Sequence, residues 1–328
     1  MSLVVDVHTH MLSEQWLAML VEHGAPLYRL VPRGDRKTLF MGQSAIMTPN
    51  QGMFDYEMRI AAMDDAGVDI AIISLTCPNV YWGGPEISTR AAVQINDDMA
   101  HAQKTYPKRI RWLASLPWQY PDRALAELQR ARDSGAVGVM VLADIDGVAL
   151  TDPKFAPIWQ AIDDAALPVL VHPTVPPAGD VLGLDELGLA NPIGFTFNTS
   201  LAVARMILDG FFERFTKLKL IASHAGGSLP FLIGRLDRCW EKIEPTRAKT
   251  SHPPSYYFKR VFLDSVVYRF DALEMAISTA GVDNVLYGSD YPFNIGDMPG
   301  ILALVDKLPE ESREKVRNGN AARIFDLS

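Results

Sequence analysis

Five residues in this chain of 328 residues are of the types that bind a divalent metal or move a proton, and each stands at the end of a short apolar run. They are His8 and His10 in VDVHTH, His172 in VLVHPT, His224 in IASHAGG and Asp290 in YGSDYPF. Residues two apart in a strand point to the same side, so His8 and His10 can offer both imidazoles to one ion. An HxH pair alone is weak evidence. It gains weight because two further histidines and an aspartate end later runs in the same way. Imidazole nitrogens with a carboxylate oxygen suit Zn2+ best, with Mn2+, Fe2+ or Co2+ as alternatives. His8, His10, His172 and Asp290 as ligands would leave a position open for water or substrate. A two-metal centre needs a bridging ligand, commonly a carbamylated lysine after the fourth run, but GVMVLADIDG contains no Lys. A single metal is therefore expected, with His224 free as a general acid/base and Asp290 able both to bind the ion and to accept a proton.

The elements that must bring these residues together follow from the pattern of apolar runs. Eight runs rich in β-branched residues read as strands: 3–7, 69–75, 110–116, 137–142, 167–171, 218–223, 261–264 and 284–288. They are continuous rather than alternating, as parallel strands covered on both faces should be. Amphipathic stretches between them read as crossover helices, and Gly67, Gly135 and Gly281 stand where helices should end. Eight such units argue for an α/β (β/α)8 TIM barrel rather than an open doubly wound sheet. Active sites of such barrels lie at the C-terminal ends of the strands, which is where the five residues fall. Two long segments, 11–55 and 173–200, follow strands one and five and are expected to be βα loops that build a substrate pocket or a subunit contact.

Composition excludes several function classes. Apolar residues make up 48% and charged residues 21%, which suits one soluble domain spanning 1–328 with a large core. No window approaches a membrane span and no leader peptide is evident, so a cytoplasmic location is the default expectation. The net charge of −8, with both signs interspersed, points away from nucleic acid and towards a small molecule. The two cysteines, Cys77 and Cys239, lack metal-type or redox spacing and read as buried thiols. Tyr81 and Trp82 beyond strand two, and Phe293 after Asp290, are candidates to wall a pocket around a flat ring.

The ordered set VDVHTH, MDDAGVDIAIIS, PVLVHP, SHAGGSLPFLIGRLDRCW, YGSDYPF and NGNAARIF, running over nearly the whole chain, resembles the amidohydrolase superfamily. Within it, the likeness is to the group of amino-carboxymuconate-semialdehyde decarboxylase and the hydroxybenzoate-type decarboxylases. The resemblance implies one metal on His8, His10, His172 and Asp290, with His224 as the catalytic histidine. It also implies a non-oxidative carboxy-lyase that releases CO2 from a small hydroxylated aromatic or unsaturated carboxylic acid. Some relatives instead hydrolyse lactones or hydrate unsaturated acids, so a metal-dependent hydrolase or hydratase of a ring-cleavage product is the alternative. Arg235 matches an arginine that reaches the substrate carboxylate of a neighbouring subunit, which implies a homodimer or higher homo-oligomer. A surface ion pair of Arg235 with Asp237 or Glu241 is the other reading. A second substrate-binding arginine of the semialdehyde decarboxylases aligns with Met47, a departure that favours a more apolar or aromatic acid.

Overall fold

The computed structural model describes residues 3–327. Strands β1 (Val5–His10), β2 (Ile70–Ser74), β3 (Ile110–Ser115), β4 (Gly138–Leu142), β5 (Pro168–His172), β6 (Lys219–Ala222), β7 (Phe262–Asp264) and β8 (Val285–Leu286) lie side by side in chain order. Every neighbouring pair from β1 to β8 is parallel. The segment after β8 closes the ring onto β1. Val7 N donates to Tyr287 O at 3.0 Å, Asp290 N to His8 O at 2.8 Å and His10 N to Tyr291 O at 2.8 Å. The result is the (β/α)8 barrel that the run spacing predicts.

The runs are continuous because both faces of each strand are covered: every residue of β1, β4 and β5 is buried. Around them pack α1 (Glu14–His23), α2 (Tyr56–Ala66), α3 (Gly84–Thr105), α4 (Pro121–Asp133), α5 (Ala156–Asp164), α6 (Phe195–Leu208), α7 (Leu229–Lys242), α8 (Phe270–Ala280) and α9 (Met298–Val305). Helix α2 shows how local sequence sets the bounds. The Asp55 side chain caps its start by accepting from Met58 N at 3.0 Å, and Gly67 ends it at φ +73°, where a side chain would be strained.

Three boundaries differ from expectation. Strand β1 runs through His10 rather than stopping at Val7, and its register with β2 shifts by one residue between Asp6 and Thr9. Segment 11–55 is not an open loop: it holds α1 and a three-stranded antiparallel sheet of Tyr28–Arg33, Arg36–Met41 and Ser44–Met47. Two-residue turns opened by Gly34 and Gly42, at φ +63° and +59°, join those strands. After β5 the irregular stretch is shorter than expected, because α6 begins at Phe195. No helix among the described residues is long and apolar enough to cross a membrane.

Candidate metal centre

His8 and His10 lie within β1, and His172 is the last residue of β5. His224 stands two residues past β6 and Asp290 four past β8. The barrel brings all five together at one end. His8 Nε2 and His10 Nε2 are 3.1 Å apart. Asp290 Oδ1 is 3.4 Å from the former and 3.2 Å from the latter, while Asp290 Oδ2 is 3.6 Å from His224 Nε2. Ligand-capable atoms of His8, His172, His224 and Asp290 all fall within 4.8 Å of one another.

Each of three imidazoles has its other nitrogen committed. His8 Nδ1 donates to Asp264 Oδ2 at 2.5 Å, His10 Nδ1 to Leu75 O at 3.2 Å and His172 Nδ1 to Pro173 O at 3.0 Å. Carboxylates and carbonyls only accept, so Nδ1 carries a proton and, in the neutral ring, each Nε2 keeps a lone pair. Lone pairs held about 3 Å apart beside a carboxylate repel unless a cation lies between them. Ligand atoms about 2.0–2.2 Å from a shared ion at the tetrahedral angle stand about 3.3 Å apart, close to the separations found here. Asp290 Oδ1, buried without a hydrogen-bond partner among the described residues, is a further vacant acceptor. The donor set fits a divalent metal ion.

His224 differs from the other three. Its Nδ1 is buried with no hydrogen-bond partner among the described residues, and its side chain is 14% exposed where those of His8 and His10 are fully buried. Its backbone is left-handed (φ +54°), as is that of Ala225 (φ +53°). The Asp264 carboxylate holds this turn by accepting from His224 N at 2.8 Å and Ala225 N at 2.9 Å. The same carboxylate engages His8, so one side chain at the end of β7 fixes both a ligand-type imidazole and the His224 turn.

Burial favours the neutral form of these imidazoles, with consequences set by their neighbours. Desolvation, then the neighbouring imidazoles, hold His172 well below 6.5, and desolvation likewise lowers His10. For His8 desolvation also acts downwards, but the Asp264 carboxylate outweighs it and raises the group. Burial tends to raise Asp290, yet the imidazoles of His10, His224 and His8 gathered around it keep it well below the usual carboxylate range.

Support comes from residues the sequence reading did not single out. Asp264 is one: a carboxylate ending β7 stands in the pattern of the other five, and only its lack of a recognisable motif hid it. Arg59 of α2 is fully buried, donates to Thr9 Oγ1 at 2.7 Å and to His10 O, and lies over the Tyr291 ring. Asp6, buried beneath the centre and pushed up to about 6 by desolvation, accepts from Ser289 N at 3.1 Å and from Ser289 Oγ, tying β1 to the turn that carries Asp290. Gly288 lets these chains approach: a Cβ there would lie 2.8 Å from His8 Cβ and 3.2 Å from Asp264 Cβ.

A cavity of about 730 Å³ opens above the cluster and reaches His172, His224 and Asp290. Phe293 lines it and meets His10 edge to face, ring centroids 5.2 Å apart. Tyr81 and Trp82 do not line it. Both are 5% exposed and pack in the core, Trp82 Nε1 donating to Asn79 O at 2.9 Å, because the chain after β2 turns inward towards α3. Arg235, exposed on α7, does not line the cavity of its own barrel either. It makes no ion pair among the described residues: Asp237 accepts from Ser255 N and Glu241 pairs with Arg238. Cys77 is buried at the cavity, whereas Cys239 is only half-buried, and both are free thiols.

Known proteins resemble this one over the whole barrel. The chain is 28% identical over 338 residues to 2-amino-3-carboxymuconate-6-semialdehyde decarboxylase of Dictyostelium discoideum, covering 99% of this chain and 92% of the relative. It is 30% identical over 296 residues to gamma-resorcylate decarboxylase of Rhizobium sp. (strain MTP-10005), covering 83% and 87%. The crystal structure of 5-carboxyvanillate decarboxylase from Sphingomonas paucimobilis superposes with a TM-score of 0.87 at 26% identity, over 100% of both chains. The Amidohydrolase family model matches residues 5–327, and the chain belongs to that family.

Proposed function

We propose that this protein is a metal-dependent, non-oxidative carboxy-lyase of a small hydroxylated aromatic or unsaturated carboxylic acid. The observation that carries the reading is the division of the cluster. Three imidazoles are fixed through Nδ1 with Nε2 free for an ion, and a fourth is more exposed to the cavity with Nδ1 uncommitted. His8, His10, His172 and Asp290 are the ligands in this reading, and the nitrogen-rich set favours Zn2+ over harder ions. When bound, the ion supplies a Lewis acid that draws electron density from the substrate's carboxylate and adjoining oxygen. His224 delivers the proton. As the bond to CO2 breaks, its electron pair stays on the ring carbon, and a proton from Nε2 of His224 takes the place of CO2 there. Asp290 Oδ2 stands 3.6 Å from that nitrogen. Phe293 offers its ring as one wall for a flat substrate.

The relatives named above all carry decarboxylase activity in their names, which favours carbon–carbon cleavage over lactone opening on the same donor set. The chain acts as one domain in this reading, and as a homodimer. Large apolar side chains stand exposed on the segment after β5 and on α7, among them Leu187 at 96% and Phe231 at 77%. Arg235 lies one helical turn from Phe231 and so faces the same way. A second copy seated there would receive this guanidinium at its cavity.

The test is CO2 release from hydroxybenzoates and muconate semialdehydes by the Zn2+-loaded protein, with lactone opening followed in parallel. Release that stops on chelation and returns with Zn2+ is expected. Lactone opening without CO2 would replace the reading with the hydrolase.

A further inference from the structure

The cavity is much larger than the acid that the cluster end would hold. About 730 Å³ accommodates on the order of two dozen water-sized groups at roughly 30 Å³ each, whereas a dihydroxybenzoate has about eleven non-hydrogen atoms. The two ends of the cavity also differ in chemistry. His172, His224 and Asp290 gather at the barrel end. Beyond them and Phe293, the side chains of Phe195, Val266, Val267, Ala272 and Ile295 make an apolar wall. Ile295 is 46% exposed at the mouth. Among the described residues the only cationic side chain lining the cavity is Arg269, and Asp271 already engages it twice, at 2.6 and 3.0 Å. Within one chain a second charged group on the substrate would meet no other cation along this wall, and Arg235 of a second copy is the one the dimer would add.

We propose that the preferred substrate is an aromatic acid carrying an apolar arm, an alkyl chain or second ring, on the side away from its carboxylate. The proposal rests on the reading above, in which the carboxylate sits at the cluster. With the carboxylate there, the ring carbon opposite it points away from the cluster however the ring turns about that axis. A substituent on that carbon therefore enters the apolar half. Specificity of this kind scales with buried methylenes, each tightening binding about fourfold, which is about 0.8 kcal/mol.

The experiment is calorimetric titration of the Zn2+-loaded protein with 2,6-dihydroxybenzoates bearing hydrogen, methyl, propyl, pentyl or carboxylate opposite the carboxyl group, with CO2 release recorded on each. The dissociation constant is expected to fall at least about tenfold from hydrogen to pentyl. In Ala272→Trp, which fills the outer cavity, that ratio is expected to return towards one. Equal or weaker binding of the pentyl acid, tighter binding of the diacid, or no binding of any member overturns the proposal whatever the turnover. Tightening along the series without CO2 from any member upholds the apolar arm and removes the decarboxylase reading instead.

Discussion

Three of the four clustered imidazoles have a fixed tautomer and one does not, and this separates holding an ion from moving a proton at the level of single nitrogens. His224→Asn is expected to lower turnover at least about 100-fold while metal content, measured by plasma mass spectrometry, stays at the wild-type level. Asp264→Asn removes the charge behind His8 and loosens the His224 turn. Its metal affinity should fall about 10- to 100-fold in a chelator competition, and retention of wild-type affinity would remove Asp264 from the centre. His172 gives a pH prediction. Its folded-state value is held well below 6.5, while the unfolded chain takes up a proton near 6.5. Its contribution to the metal-free fold is thus complete above pH 6.5 and lost as pH falls below it. His8, shifted the other way by Asp264, offsets part of this, so the effect is read as a difference. Between pH 7 and 5, melting of metal-free protein should depend more steeply on pH in wild type than in His172→Gln.

At the scale of elements, the strands that carry the site were legible because parallel barrel strands are buried on both faces and so read as unbroken apolar runs. Their ends were legible because a polar residue after such a run has one place to go, the mouth of the barrel. Asp264 obeyed that rule too, but a single carboxylate ending a three-residue strand has no spacing to announce its partner. The sheet at 28–47 was missed for a different reason. Arg29, Arg33, Arg36 and Lys37 are all exposed, and the adjacent Arg36 and Lys37 put charge on both faces of the sheet, which masks alternation, although Gly34 and Gly42 marked both of its turns. Tyr81 and Trp82 were misplaced because sequence gives no direction for the chain after β2. Gly288 belongs to this scale as well, since it sets how closely β8 passes β1 and β7. Gly288→Ala should destabilise the protein by about 1–3 kcal/mol in denaturant unfolding, and Zn2+ should recover less of that loss than it adds to the wild type.

For the whole molecule, the proposed subunit contact and the barrel seam have measurable consequences. Phe231→Asp is expected to shift the protein from dimer to monomer in light scattering, and a dimer unchanged by that substitution would place the contact elsewhere. The seam is the more unusual feature. The bonds that join the last strand to the first involve His8, His10 and Asp290, the same residues that gather at the candidate metal centre. An ion there works as the clasp of a hoop, linking residues some 280 positions apart in sequence. Amides of Val7, His10 and Asp290 should therefore be among those whose hydrogen exchange quickens most when the ion is stripped, while the strands on the far side of the ring keep their protection. On that reading, metal starvation would cost more than a reaction: it would loosen the ring where its first and last strands meet.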